Sequence, residues 1–124
     1  MSGQGRPDPR RTLGARGEAI VARWYEQHGY KVVARNWRCR EGELDLVLIA
    51  RGLLVFCEVK TRSSVAFGVP AEAVTPRKQQ RIRLLASRWL ADNNARARSL
   101  RFDVASVLIA GEADPVVEVI EAAF

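Results

Sequence analysis

The stretch ELDLVLIARGLLVFCEVK, residues 43–60, decides the fold. It contains two apolar, strand-like runs, Glu43–Ala50 and Leu53–Lys60, separated only by Arg51-Gly52. That spacing is the mark of a tight hairpin, in which glycine supplies a positive φ. Side chains alternate along a strand, so Glu43, Asp45, Val47 and Ile49 are expected on one face and Leu44, Leu46 and Leu48 on the other. On the second strand Leu54, Phe56, Glu58 and Lys60 share a face. A two-residue turn sets the register. Ala50 then pairs with Leu53, Val47 with Phe56, Asp45 with Glu58 and Glu43 with Lys60. Opposed residues have Cβ atoms roughly 5 Å apart, and like charges so placed repel unless something positive lies between them. A divalent cation such as Mg²⁺ resolves the conflict, because it prefers hard carboxylate oxygens. Lys60 lies two residues beyond Glu58 on the same face, within reach of a water or phosphate at that cation. Geometry alone leaves a second reading open, a solvated polar strand end with Glu43 and Lys60 as a surface pair. The chemistry of the set favours the first, since phosphodiester hydrolysis needs a cation for the developing charge and an activated water.

Toward the N-terminus, the apolar spacing predicts a helix from about Leu13 to His28, stopped by Gly29. Leu13, Gly17, Ile20, Val21 and Trp24 form its stripe, and Glu18 lies roughly 100° around, on the margin of the buried face. His28, the only histidine, suits the negative end of the helix dipole. Tyr30–Asn36 is expected to be a strand and Cys39–Gly42 a polar turn. Beyond the hairpin, Thr61–Val74 is a long loop containing Phe67-Gly68-Val69-Pro70, of the kind that contacts substrate. Thr75-Pro76 opens a second helix, with Thr as N-cap and Pro at the first helical position. It runs to about Asp92, with Ile82, Leu85, Ala86 and Trp89 on its core face and Arg77, Arg81 and Arg88 on the opposite one. Lys78 falls on the sheet-facing side of the first turn and, like Arg62, can point toward the carboxylate end of the hairpin. Leu100–Ile109 and Val116–Ile120 complete the strands.

The expected architecture is a single α/β domain over 13–124, behind a flexible segment 1–12. Its mixed β-sheet is flanked by helices in the order α-β-β-β-α-β-β, with a crossover between parallel neighbours.

At 124 residues there is room for one core, and 48% hydrophobic residues are enough to pack it. No apolar run approaches the roughly 20 residues of a membrane span, and no apolar stretch follows the charges near the N-terminus. The expected compartment is therefore the cytoplasm, without membrane attachment. Twenty Lys and Arg against 14 acids give a net charge of +6, which points to a polyanionic partner, nucleic acid first. A merely solvated basic surface is the other reading, and it applies equally to Arg77 and Arg81. Lysines are scarce: Lys31, Lys60 and Lys78 are the whole set. Two cysteines without CxxC spacing and one histidine make a zinc site an unsuitable explanation.

Asp45 followed by Glu58-Val59-Lys60 on the next strand resembles the PD-(D/E)XK nuclease signature. From Gly14 to Phe124 the chain is similar to the YraN-like family of small bacterial proteins, often described as candidate endonucleases. The matching stretches are Gly17-Glu18, Gly42-Glu43-Leu44-Asp45, Phe56–Arg62, Phe67-Gly68, Lys78 and Arg101-Phe102-Asp103. Leu44 stands where the signature has proline. The resemblance implies a restriction-endonuclease-like core, similar to archaeal Holliday junction resolvases. It also implies that Asp45 and Glu58 ligate Mg²⁺ or Mn²⁺ with help from the Val59 carbonyl, that Lys60 orients or activates the attacking water, and that Glu18 adds an acid. Arg62, Lys78, Arg77 and Arg81 are the candidate DNA contacts. Resolvases of this type are usually dimers, so a homodimer stays open. The expected function is a metal-dependent endonuclease on DNA, structure-selective or nonspecific. The competing reading is a non-catalytic nucleic-acid-binding module on the same scaffold.

Overall fold

The computed structural model describes residues 9–64 and 74–124. Its elements are α1 (Pro9–Gln27), β1 (Lys31–Cys39), β2 (Gly42–Ala50), β3 (Leu53–Arg62), α2 (Pro76–Asp92), β4 (Ser99–Leu108) and β5 (Val116–Ile120). One five-stranded sheet has the order β1-β2-β3-β4-β5. β3 and β4 are parallel, joined through α2, and the other neighbours are antiparallel. This is the expected single-domain α/β architecture with a mixed sheet. Residues 1–8 and the Phe67–Pro70 stretch lie outside the described residues.

The two helices cover opposite faces of the sheet. On one, Val21, Ala22 and Tyr25 of α1 pack against Leu46, Leu48, Val55, Cys57, Ala105 and Val107. On the other, Ile82, Leu85, Ala86 and Trp89 of α2 pack against Leu44, Val47, Leu54, Phe56 and Phe102. Each large apolar side chain so buried contributes roughly 1.5–3 kcal/mol. The start of α2 follows from its first residues. Thr75 is extended (φ −69°, ψ 161°) and its side chain accepts from the Lys78 backbone N–H, while Pro76 fills the first turn.

Several boundaries differ from expectation. α1 begins at Pro9, four residues before Leu13. Its buried line runs through Gly17, Val21, Ala22 and Tyr25, while Ile20 and Trp24 stay half-buried. The stripe is thus rotated toward Tyr25, whose hydroxyl finds a buried acceptor on β4, and Glu18 turns closer to the sheet. β1 extends to Cys39, so only Arg40-Glu41 separates it from β2. The β2–β3 turn has positive φ at both Arg51 (49°) and Gly52 (81°), the conformation that matches strand twist in a two-residue hairpin.

At Gly17, α1 lies directly against Thr61 of β3. A Cβ built there would lie 1.8 Å from Thr61 Oγ1 and 2.8 Å from Thr61 Cβ. Thr61 is β-branched and stiff at χ1, so it cannot swing aside cheaply. Gly17→Ala is expected to cost about 1–3 kcal/mol in urea melts, as overpacking does. A loss below about 0.5 kcal/mol would mean the helix shifts freely over the strand.

Candidate active site

The hairpin keeps the expected register from Ala50↔Leu53 through Val47↔Phe56, but its paired residues end at Leu46↔Cys57. Asp45↔Glu58 and Glu43↔Lys60 are not part of the ladder. Instead Asp45 Oδ2 accepts a hydrogen bond from the Val59 N–H at 2.8 Å. The side chain takes the position that a β2 carbonyl would hold in a continued ladder. The N–H and C=O of one residue point to the same strand edge. The Val59 carbonyl therefore opens toward the same gap.

Simple alternation also fails on β2. Leu44 packs with Val47 and Ile49 on the α2 face, while Leu46 and Leu48 lie on the α1 face. The reversal falls at Asp45. Across from it on β1, between the pairs Arg35↔Leu46 and Trp37↔Leu44, Asn36 has a left-handed φ of 50°. Asparagine tolerates that conformation better than most residues. The Asn36 side chain lies beside Glu18 and lowers its proton affinity. One local twist thus reorients Asp45 and sets Asn36 beside the acid contributed by α1.

On β3 alternation holds, and Glu58 and Lys60 face α2. Lys78 Nζ lies 2.8 Å from Glu58 Oε1, and Lys60 Nζ lies 3.8 Å from the same oxygen. The Glu58 side chain is only 13% exposed. Glu43 does not pair with Lys60; its carboxylate binds Arg38 Nε at 2.6 Å. The hairpin does bring Asp45 close enough to Glu58 for that charge to raise its proton affinity, although the two are not ladder partners.

Proton affinities follow from that crowding. Burial, then the Glu58 charge, pushes Asp45 up to about 8, against the opposing effect of the Val59 hydrogen bond. Glu18 is raised by burial, with Glu43 and Glu58 adding to the rise and Asn36 opposing it. Burial and the adjacent Lys78 lower Lys60. Burial is the largest single influence on the Lys78 ammonium and works against it, but Glu58, Lys60 and Asp45 together outweigh it and raise its proton affinity.

Two clefts flank the acids. One, of about 410 Å³, is lined by Gly42, Glu43, Glu58, Lys78, Arg77 and Arg81 among others. The other, of about 280 Å³, is lined by Glu18, Asn36, Arg38 and Glu43, together with Arg11, Gly14 and Ala15 of α1. Lys78, Arg77 and Arg81 therefore come to the carboxylate end. Arg62 closes β3, where its carbonyl accepts from the Ile109 N–H at 2.8 Å. Arg88 is instead paired with Glu41 at 3.0 Å.

Among the described residues no group of three or more acids, histidines or cysteines forms a cage for a metal ion. Glu18 influences Asp45 by charge rather than standing beside it as a third ligand. The donor set fits Mg²⁺ or Mn²⁺ in a different manner. Mg²⁺ is bound through one or two carboxylates and keeps several waters or substrate oxygens. Asp45, Glu58 and the Val59 carbonyl are the oxygens that would supply that share, and the raised Asp45 marks a spot short of positive charge.

Arg101-Phe102-Asp103 lies elsewhere. Asp103 is fully buried on the α1 face. It accepts from Tyr25 Oη at 2.6 Å, from Arg101 Nε at 2.8 Å and Nη2 at 2.9 Å, and from the Ala122 N–H at 3.1 Å. Arg101 also reaches Glu121 and the Tyr30 hydroxyl, each at 3.1 Å. This network ties α1, β4 and the C-terminus together and contributes nothing to the clefts. Asn36 is the site residue that pattern reading missed; its one signal was an asparagine inside a strand.

Residues 17–107 match the model of the uncharacterised protein family UPF0102. A UPF0102 protein of Beutenbergia cavernae is 58% identical over 96 residues, 77% of this chain and 81% of that protein. One from Nocardia farcinica is 49% identical over 115 residues, 93% and 91% of the two chains. Another, from Acidothermus cellulolyticus, is 42% identical over 130 aligned positions, 97% and 98% of the two. The matched span begins at Gly17-Glu18 and takes in Asp45, Glu58, Lys60, Lys78 and Asp103.

Proposed function

We propose a function for this chain, which belongs to the uncharacterised protein family UPF0102: a metal-dependent endonuclease of the PD-(D/E)XK type. It would cut DNA in a structure-selective or nonspecific way and work in the cytoplasm. The observation that carries this reading is the joint placement of Asp45, Glu58, Lys60 and Lys78 around one point. A module that only bound DNA would have no use for two mutually repelling, half-buried carboxylates beside its lysines.

Asp45, Glu58 and the Val59 carbonyl would hold Mg²⁺ or Mn²⁺. When bound, the ion supplies positive charge for the developing phosphorane oxygens and lowers the pKa of water. Lys60 stands beside Glu58 with its proton affinity reduced by burial and by Lys78, and is suited to orienting the attacking water. Arg77 and Arg81 grip neighbouring phosphates, which fixes the backbone without reading bases. Glu18, beside Asn36, keeps further negative charge next to the acids and favours the cation. No base-reading element is evident in these positions, in keeping with weak sequence preference.

The test is single-turnover cleavage of branched, single-stranded and duplex DNA with Mg²⁺ or Mn²⁺. Lys60→Ala is expected to slow cutting roughly a hundredfold, about 3 kcal/mol, while leaving DNA affinity and melting nearly unchanged. A parent protein that binds DNA but cuts none of these substrates would leave the non-catalytic binding module as the function. A Lys60→Ala protein that cuts at the parent rate would remove Lys60 from the chemistry.

A further inference from the structure

We propose that Lys78 holds the cation's place on Glu58 until a DNA phosphodiester draws it away, so that metal and DNA bind this site cooperatively. The inference rests on the nuclease reading and deepens it. Lys78 Nζ occupies Glu58 Oε1 at 2.8 Å, in hydrogen-bond contact, while Lys60 stays at 3.8 Å. The Glu58 side chain is largely buried, so its Oε1 is not shared freely with solvent. An ammonium and a divalent ion cannot both sit against one carboxylate oxygen without strong mutual repulsion. One must leave, and Lys78 is the one able to do so. Its backbone is fixed by the Thr75 cap, but its side chain is a flexible four-carbon stem, about one-third exposed. Lys60 has a like stem and similar exposure, but it stands farther from the oxygen and is not among the residues lining the cleft that holds Arg77 and Arg81.

The destination is adjacent. The 410 Å³ cleft that contains Glu58 and Lys78 is also lined by Arg77 and Arg81. Among the described residues neither arginine has a carboxylate partner. A phosphate drawn in by these guanidiniums offers Lys78 a second anion and leaves Glu58 open to the cation. By linkage, whatever factor DNA adds to metal affinity, metal adds to DNA affinity. Lys78 is therefore a positioning residue, and its effect is visible in binding as well as in rate.

Mn²⁺ titrated by calorimetry into the parent, Lys78→Met and Lys78→Arg proteins tests this, each alone and with a short phosphorothioate duplex. Lys78→Met is expected to bind Mn²⁺ alone about tenfold more tightly than the parent. The duplex should tighten Mn²⁺ binding to the parent about tenfold and to Lys78→Met less than about twofold. Lys78→Arg keeps the charge and should follow the parent. Melting curves verify that each variant is folded. Mn²⁺ binding by folded Lys78→Met that equals or falls below the parent's overturns the inference, as does an undiminished response to the duplex. The nuclease reading survives that result if the parent still cuts DNA. Absence of Mn²⁺ binding in all the proteins, with and without duplex, removes both.

Discussion

Asp45→Asn is expected to make the protein more stable and inactive in one step. The asparagine carbonyl still accepts from the Val59 N–H, so the contact that ends the ladder is kept. What disappears is a charge that the site accommodates badly. Asp45 is raised to about 8 from an ordinary 3.8. Between those values the folded protein holds a proton that the unfolded chain has released. Stability without metal must therefore fall as pH rises from about 4 to about 8, with a slope of at most about 1.4 kcal/mol per pH unit. Asp45→Asn removes that slope. At pH 8 it should add about 1–2 kcal/mol, or roughly 3–8 °C in Tm for a domain of this size. Cutting with Mg²⁺ should drop by roughly a thousandfold or more, since about 4 kcal/mol of charge stabilisation is lost with the ligand. Melts from pH 5 to 9 beside single-turnover rates separate the two claims. A parent whose stability rises across that window sinks the electrostatic account; unchanged cutting sinks the metal assignment.

Asp103→Ala should have the largest effect on the fold. The carboxylate is fully buried and accepts hydrogen bonds from Tyr25, Arg101 and the Ala122 amide. Deleting it strands a phenol and a backbone N–H and takes the buried partner from a guanidinium that is only 18% exposed, leaving it Glu121 and the Tyr30 hydroxyl. Removing one partner of a buried pair costs about 3–5 kcal/mol, a large part of the roughly 5–15 kcal/mol a domain has. Tyr25→Phe removes one hydrogen bond and should cost only about 1–2 kcal/mol. Urea denaturation of both variants is the measurement. An Asp103→Ala protein within about 1 kcal/mol of the parent would show that the network can be rebuilt with water.

The parts of this structure legible in sequence are those governed by local rules. The Arg51-Gly52 turn, the register next to it and the Thr75-Pro76 helix start depend on a few neighbouring residues, and each formed as their chemistry dictates. The element order followed from the apolar patterning. The site was legible as a group of residues but not in its geometry. Alternation assumes a continuous ladder, whereas Asp45 sits where the ladder stops and the strand reverses its faces. That reversal depends on Asn36 of the neighbouring strand, which no period within β2 can reveal. Tyr25 lies outside the stripe read from the α1 sequence for a similar reason. Its burial is set by Asp103, 78 residues away. A charged residue inside the apolar strand FDVASVL was the available sign of a buried partner.

The sheet order β1-β2-β3-β4-β5 is also the order of synthesis. Its three antiparallel pairs are joined by short connections, and only the parallel β3–β4 pair needs α2 and the long segment before it to close the loop. Chains with such sequential neighbours fold by short loop closures, while the parallel closure is entropically the slowest. The β1–β2–β3 meander can therefore form as it leaves the ribosome, bringing Asp45 and Glu58 together first. Lys78 and the parallel partner strand come later. During that interval the two carboxylates have Lys60 of β3 but not Lys78, which makes final docking of α2 the step that eases the meander's electrostatic frustration. Salt that screens charge should accordingly speed formation of the early hairpins and weaken the pull on α2, splitting the ionic-strength dependence between two kinetic phases.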